Sequence, residues 1–310
     1  MAECCSNNSN TRSKSIGVIL LSIRPWSFTM TITTLVAGSV YASYEGYPIN
    51  ILALLLVIIG VVLLHGMANW LNDYFDHMYG VDRPGTGTTV YRPHPLIERI
   101  LDPRTLLISS ILLGFVASSI GTYIAIVIDR PLVIPLGLLG AVIGFLYTGP
   151  PLNLKYRAFG EPAVFLAFGP LMFIGSYYVQ TGFISLKSII ASIPFGLLIT
   201  AVLLANNIRD IEGDRAAGIR TLAVVLGRRR ASLLYISLLV SAYVITFAMI
   251  VLGLLPLVSM ITMLTVFQAL KLCRDIRAEN TPLDMDPRTA RLVLSYSILF
   301  IISLAISIII

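Results

Sequence analysis

Charge is sparse in this chain. Only 12% of its 310 residues are Asp, Glu, Lys or Arg, against about 25% in an average soluble domain, and that deficit excludes a fully solvated globular surface. Histidine and cysteine are scarcer still, at three residues each. Cys4 and Cys5 are neighbours, Cys273 stands alone, and no metal-ligand spacing links them, so neither a zinc site nor a disulfide framework is expected and free thiols are the simplest reading. His65, His77 and His94 show no pairing either, and His65 reads as a packed or hydrogen-bonded core residue. Apolar residues do not alternate with polar ones, which excludes a transmembrane β-barrel. No soluble domain carries a basic face, so nucleic acid is not an expected partner. Residues 1–15 lack the apolar core and small-residue cleavage site of a signal peptide and read as a retained, disordered cytosolic tail.

What the chain has instead is continuous apolar sequence. Hydrophobic residues make up 56% of it, in runs that reach the roughly 20 residues a helix needs to cross a bilayer. Lipid offers no hydrogen-bond partners, so such runs must be helical. About nine spans are expected, near 25–44, 50–71, 105–127, 131–148, 161–179, 188–206, 232–252, 254–271 and 292–310. Of the 22 basic residues, only Arg130 and Lys187 fall outside the loops that would be cytosolic with the N-terminus inside. That asymmetry supports an odd number of spans, N-terminus in and C-terminus out. The net charge of +6 then reflects topology. The expected protein is multi-pass in the cell membrane, with residues 16–310 forming one transmembrane domain.

Two polar segments interrupt the apolar sequence and echo each other. Asn72-Asp73-Tyr74-Phe75-Asp76, followed by Asp82-Arg83, ends the second span. Asn206-Asn207-Ile208-Arg209-Asp210-Ile211-Glu212-Gly213-Asp214-Arg215 ends the sixth. Each sets Asn and Asp four residues apart, on one helical face. Four spans separate them, which suggests two related four-helix halves with a ninth helix appended. An unpaired Asp in such a place costs on the order of 3 kcal/mol on insertion scales, and one cap is all that an ordinary helix end needs. The loops that follow are rich in Gly, Thr and Arg (Pro84 to Thr89, then Tyr91 to Pro95; Gly218 to Leu222), a composition that suits closure over phosphate oxygens. A third cytosolic segment, Tyr147-Thr148-Gly149-Pro150-Pro151, leads to Lys155 and Arg157, which are either positive-inside anchors or phosphate partners.

Oxygen donors without clustered His or Cys point to magnesium, which is held by one or two carboxylates plus substrate phosphates. Two such clusters facing each other would clamp a diphosphate between two Mg²⁺ ions. Within a membrane, a diphosphate with a long apolar tail is a polyprenyl diphosphate. Neutralising the leaving group stabilises its departure by several kcal/mol, and the allylic cation left behind needs a dry cavity.

These residues resemble the intramembrane aromatic prenyltransferases of the UbiA superfamily, from Arg24-Pro25 through the last span. On that resemblance Asn72 and Asp76 match the first metal-binding motif and Asp210 and Asp214 the second. It implies Mg²⁺, a polyprenyl diphosphate donor and an all-α horseshoe of nine helices around a central cavity. The chain departs from the commonest first motif, which has a further Asp where Gly80 stands; here the acid comes at Asp82. That variant, with Asn206-Asn207-x-Arg209-Asp210, Gly218-x-Arg220-Thr221-Leu222-Ala223-Val224 and Tyr177-Tyr178-Val179-Gln180-Thr181-Gly182, is similar to the 1,4-dihydroxy-2-naphthoate prenyltransferases of menaquinone synthesis.

The implied roles are specific. Asn72 and Asp76 hold one ion, with Asp73 and Asp82 supporting it or anchoring the loop. Asp210 and Asp214 hold the other, with Asn207 turned to the same centre. Arg83, Lys155 and Arg209 neutralise diphosphate oxygens. Tyr147 offers its ring face to the cation or is an interfacial belt tyrosine. The aromatic acceptor attacks the prenyl cation at the cytosolic side, losing carbon dioxide in the naphthoate branch. Transfer to 4-hydroxybenzoate or to a geranylgeranylglyceryl phosphate uses the same donor residues. A secondary transporter is the alternative of another class, but its acids would lie near the midplane. Nothing in the sequence points to an obligate protein partner.

Overall fold

The computed structural model describes residues 16–82, 93–278 and 281–310. The tail 1–15, Arg83 and most of the first polar loop lie outside these. Among the described residues the chain is helical, apart from one isolated bridge between Arg157 and Arg220 that sets two polar loops side by side.

The helices in order are α1 (Ile16–Ser22), α2 (Phe28–Tyr44), α3 (Ile51–Met78), α4 (Pro103–Val127), α5 (Val133–Leu146), α6 (Gly160–Leu166), α7 (Met172–Thr181), α8 (Leu186–Arg209), α9 (Ile211–Ala216), α10 (Leu222–Leu226), α11 (Arg228–Val251), α12 (Val266–Asp275) and α13 (Met285–Ile309). Seven segments are long and apolar enough to cross a membrane: α3, α4, the α6–α7 rod, α8, α11, the 3₁₀ turn with α12, and α13. Of the two remaining expected spans, α2 has 17 residues and α5 has 14. Each predicted apolar segment therefore contains a helix.

Side-chain caps fix where several helices begin. Asn50 accepts from the Ala53 amide to start α3, Asp102 from Thr105 to start α4, and Ser185 from Ser188 to start α8, each satisfying an orphan N–H. Pro170 lies in a π-helical turn, Ala167–Leu171, that joins α6 to α7; a residue without an N–H breaks the regular ladder there. At this level the rod meets α8 backbone to backbone. A Cβ on Gly169 would stand 2.6 Å from the Gly196 Cα, so only glycine allows the crossing.

The larger apolar core lies between α2, α7, α8, α11 and α13, and contains Tyr41, Phe173, Phe195, Tyr235, Tyr296 and Phe300. α3 packs along α4 and α5 as a second wall. Alternating helix direction brings the start of α2, the ends of α3, α5 and α8, and the starts of α6, α11 and α13 to one end of the bundle. Arg130 and Lys187 lie at the other end, on the Val179 carbonyl and beside Glu45.

Candidate active site

The two acidic segments meet at one cavity of about 980 Å³. From the first segment, Asn72, Asp76 and Asp82 line it; from the second, Asn207, Arg209, Asp210 and Asp214. Tyr147, Lys155, Arg24, Asn206 and Asp286 add to the polar wall. Beyond them the cavity runs between α2, α3, α4, α5 and α7, past Leu35, Val57, Gly121, Ile124 and Gly137. One end is ionic and the rest is mostly apolar, broken by His65, Ser118, Thr122 and Ser176.

Asn72 to Asp76 lie within α3, which runs two turns past the expected span, and Asp82 follows just beyond its end at Met78. Asp76 is 2% exposed, and its carboxylate accepts from Lys155 Nζ at 2.7 Å and from the Tyr156 hydroxyl. Asp73 is fully buried, does not line the cavity and pairs with Arg24, which also donates to Asn72 Oδ1 at 3.0 Å. Arg24 can reach them because its backbone is left-handed, φ 64°, at the turn between α1 and α2. The Asn72 Nδ2 is buried without a hydrogen-bond partner. Asp82 lies 3.0 Å from His94 Nε2; burial pushes its carboxyl up, but His94 and Lys155 outweigh that and hold it below the usual range. Asp73, Asp82 and His94 also bring one ligand atom each within 4.8 Å of one another.

The second segment differs from a continuous helix. α8 stops at Arg209 and α9 begins at Ile211, with Asp210 at the junction. The four-residue step survives the break, because the Asp210 amide donates to the Asn206 carbonyl at 3.0 Å and the Asp214 amide to the Asp210 carbonyl at 2.9 Å. Arg209 grips Asp210 through two nitrogens at 2.8 and 2.6 Å and also bonds Asn206 and Asp286. Burial pushes the Asp214 carboxyl up to about 6, opposed by Lys155 and aided by Asp210 and Asp76. Asp214 thus feels charges from both segments.

Four participants were not foreseen as site residues: Arg24, Tyr156, Glu161 and Asp286. Arg24 stands out in the sequence only as a basic residue on the expected cytosolic side and as the start of the family resemblance, and nothing there singles out Tyr156. Asn207 bonds Glu161 at 2.9 Å, a contact between segments that no local pattern announces. His65 is hydrogen-bonded to Thr31 at 2.8 Å and lies 3.3 Å from the Ser27 hydroxyl, and it also lines the cavity.

A helical bundle with carboxylates and cations gathered at one end of an apolar chamber has the build of a membrane-embedded enzyme. The profile of the UbiA prenyltransferase family matches residues 30–285. The chain is 32% identical over 234 residues to UbiA prenyltransferase domain-containing protein 1 of Danio rerio, covering 73% of this chain and 66% of that protein. It is 31% identical over 241 residues to 1,4-dihydroxy-2-naphthoate octaprenyltransferase of Bacillus subtilis (strain 168), covering 77% and 76%. A UbiA homolog from Archaeoglobus fulgidus bound to DMAPP and Mg²⁺ shares the fold, with a TM-score of 0.66 at 15% identity over 92% of this chain and 99% of that one. The chain spans about two thirds of the length of the Danio rerio protein. It belongs to the UbiA prenyltransferase family, and by class is a prenyltransferase.

Proposed function

We propose that this protein transfers a polyprenyl group from polyprenyl diphosphate to an aromatic acceptor, 1,4-dihydroxy-2-naphthoate, giving demethylmenaquinol. The carrying observation is the convergence of Asp76, Asp210 and Asp214 with Lys155 on one end of a cavity whose remaining wall is mostly apolar. That shape suits a ligand with a polyanionic head and a hydrocarbon tail. The Bacillus subtilis relative supports the choice of acceptor.

The donor atoms fit two Mg²⁺ ions, one at Asn72 and Asp76 and one at Asp210 and Asp214. All are hard oxygens, and Arg24 occupies only one of the two lone pairs on Asn72 Oδ1. Magnesium, when bound, supplies charge neutralisation of the leaving diphosphate. Lys155 adds a cation beside Asp76. Lys155 and Arg209 then draw diphosphate oxygens to the polar end, with Arg83 as a further candidate.

The C–O bond to diphosphate breaks, and the apolar wall keeps water from the prenyl cation. The Tyr147 ring lies on the cavity wall, where its π-face favours that cation. The acceptor carbon bearing the carboxylate forms the new C–C bond, and carbon dioxide leaves from the same carbon. The clustering of Arg and Lys at the acid-bearing end supports placing it at the cytosolic face of the cell membrane.

The test is incubation of purified protein with Mg²⁺, geranylgeranyl diphosphate and each candidate acceptor in turn, read by mass spectrometry. A decarboxylated prenyl-naphthoquinol is expected. Product from 4-hydroxybenzoate alone would overturn the acceptor, and no Mg²⁺-dependent release of diphosphate with any acceptor would overturn the reaction.

A further inference from the structure

Glu161 sits in the first turn of α6, is 4% exposed, and has no ion-pair partner among the described residues. Burying a carboxylate without a cation costs several kcal/mol, so packing alone does not favour Glu at this position. Its Oε1 accepts from Asn207 Nδ2 at 2.9 Å, and Asn207 is itself 3% exposed while forming part of the cavity wall. Asn207, Asp210 and Asp214 line the same cavity. A carboxylate oxygen accepts and an amide nitrogen donates, so Glu161 takes Nδ2 and turns Asn207 Oδ1 away from itself.

We infer that Glu161 is a positioning residue: it locks the Asn207 amide so that Oδ1, not Nδ2, is offered to the divalent cation held by Asp210 and Asp214. The inference rests on the metal reading above. Partners that orient a metal-binding group through a hydrogen bond typically matter 10–100-fold in metal affinity. A Gln at 161 presents an NH₂ as well as an oxygen, which allows the Asn207 amide to invert. A Leu at 161 fills similar space and holds neither orientation.

The experiment is Mn²⁺ binding to the purified full chain without prenyl diphosphate, followed by electron paramagnetic resonance, alongside the Mg²⁺ dependence of transfer. Glu161→Gln and Glu161→Leu should each weaken Mn²⁺ about 10-fold or more and raise half-saturating Mg²⁺ by a similar factor. Glu161→Asp should restore part of the loss, and thermal unfolding identifies which variants are folded. If either folded variant binds Mn²⁺ like the wild type while Asn207→Ala binds weakly, Asn207 is oriented without Glu161 and the inference falls with the metal reading intact. If the wild type binds no Mn²⁺, the metal reading itself fails.

Discussion

The ends of α3 and α8 carry nearly the same polar motif, yet they are held in different ways. Asp76 has a side chain 3% exposed and takes its partners from the turn after α5, at Lys155 and Tyr156. Asp73, in the same turn of helix, is braced by Arg24 from the start of α2. Asp210 is 23% exposed on its side chain and is gripped by its own neighbour Arg209, with Asp286 of α13 as a further anchor for that arginine. The first segment is a tertiary construction and the second is largely a local one. Depth accounts for this: a carboxylate far inside the bundle must be met by cations from other elements, whereas one nearer the mouth can use water and its own helix.

Substitution of either segment should first erase the chemical likeness between them. Asp76→Asn and Asp210→Asn should each lower transfer by about 10³-fold or more, as expected when several kcal/mol of leaving-group stabilisation is lost. Full activity in both would remove the metal roles. Stability should then separate the two. Asp76→Ala strands a buried Lys155 and should cost about 3–5 kcal/mol, whereas Asp210→Ala leaves Arg209 on Asp286 and should cost about 1 kcal/mol. Equal shifts in detergent thermal melts would contradict the contrast.

Proton competition should be visible at the second segment. The Asp214 carboxyl is raised to about 6, above its unfolded value, so its burial weakens the fold progressively as pH rises from about 4 to above 6. A divalent cation must displace that proton. Its affinity should therefore be roughly fourfold lower at pH 5.5 than at pH 7.5, and the rise in melting temperature with Mg²⁺ correspondingly smaller; equal rises would count against Asp214 as a ligand. The smallest effect is expected at Tyr156→Phe. Losing one hydroxyl bond to Asp76 should cost about 1 kcal/mol and reduce transfer a few-fold, and Thr221→Val, which removes the 3.1 Å hydroxyl bond to Asp214, should do the same at the second segment.

The spans, the acid-bearing end and the pairing of Asn72 with Asp76 and Asn206 with Asp210 were legible because helical periodicity and hydropathy are local properties. The first expected segment also revealed its depth through the apolar run before it. What brings Arg24 to Asp73, Tyr156 to Asp76 and Glu161 to Asn207 was not legible. Each joins residues 46 to 80 positions apart, and an arginine before a proline or a tyrosine in a Pro/Gly turn carries no periodic signal. The break at Asp210 was hidden for another reason: the amide–carbonyl bonds that continue across it keep the side-chain spacing of an unbroken helix.

The glycine contact between α7's approach and α8 has a mechanical consequence. Gly196 precedes Asn207 by eleven residues, roughly 16 Å of helix axis, and α8 is one unbroken helix over that length. A methyl group wedged at Gly169 would act near the fulcrum of a long lever and displace its far tip, where the second set of acids is mounted. Tolerance of Ala at that remote spot therefore gauges how finely the two halves of the clamp must be aligned.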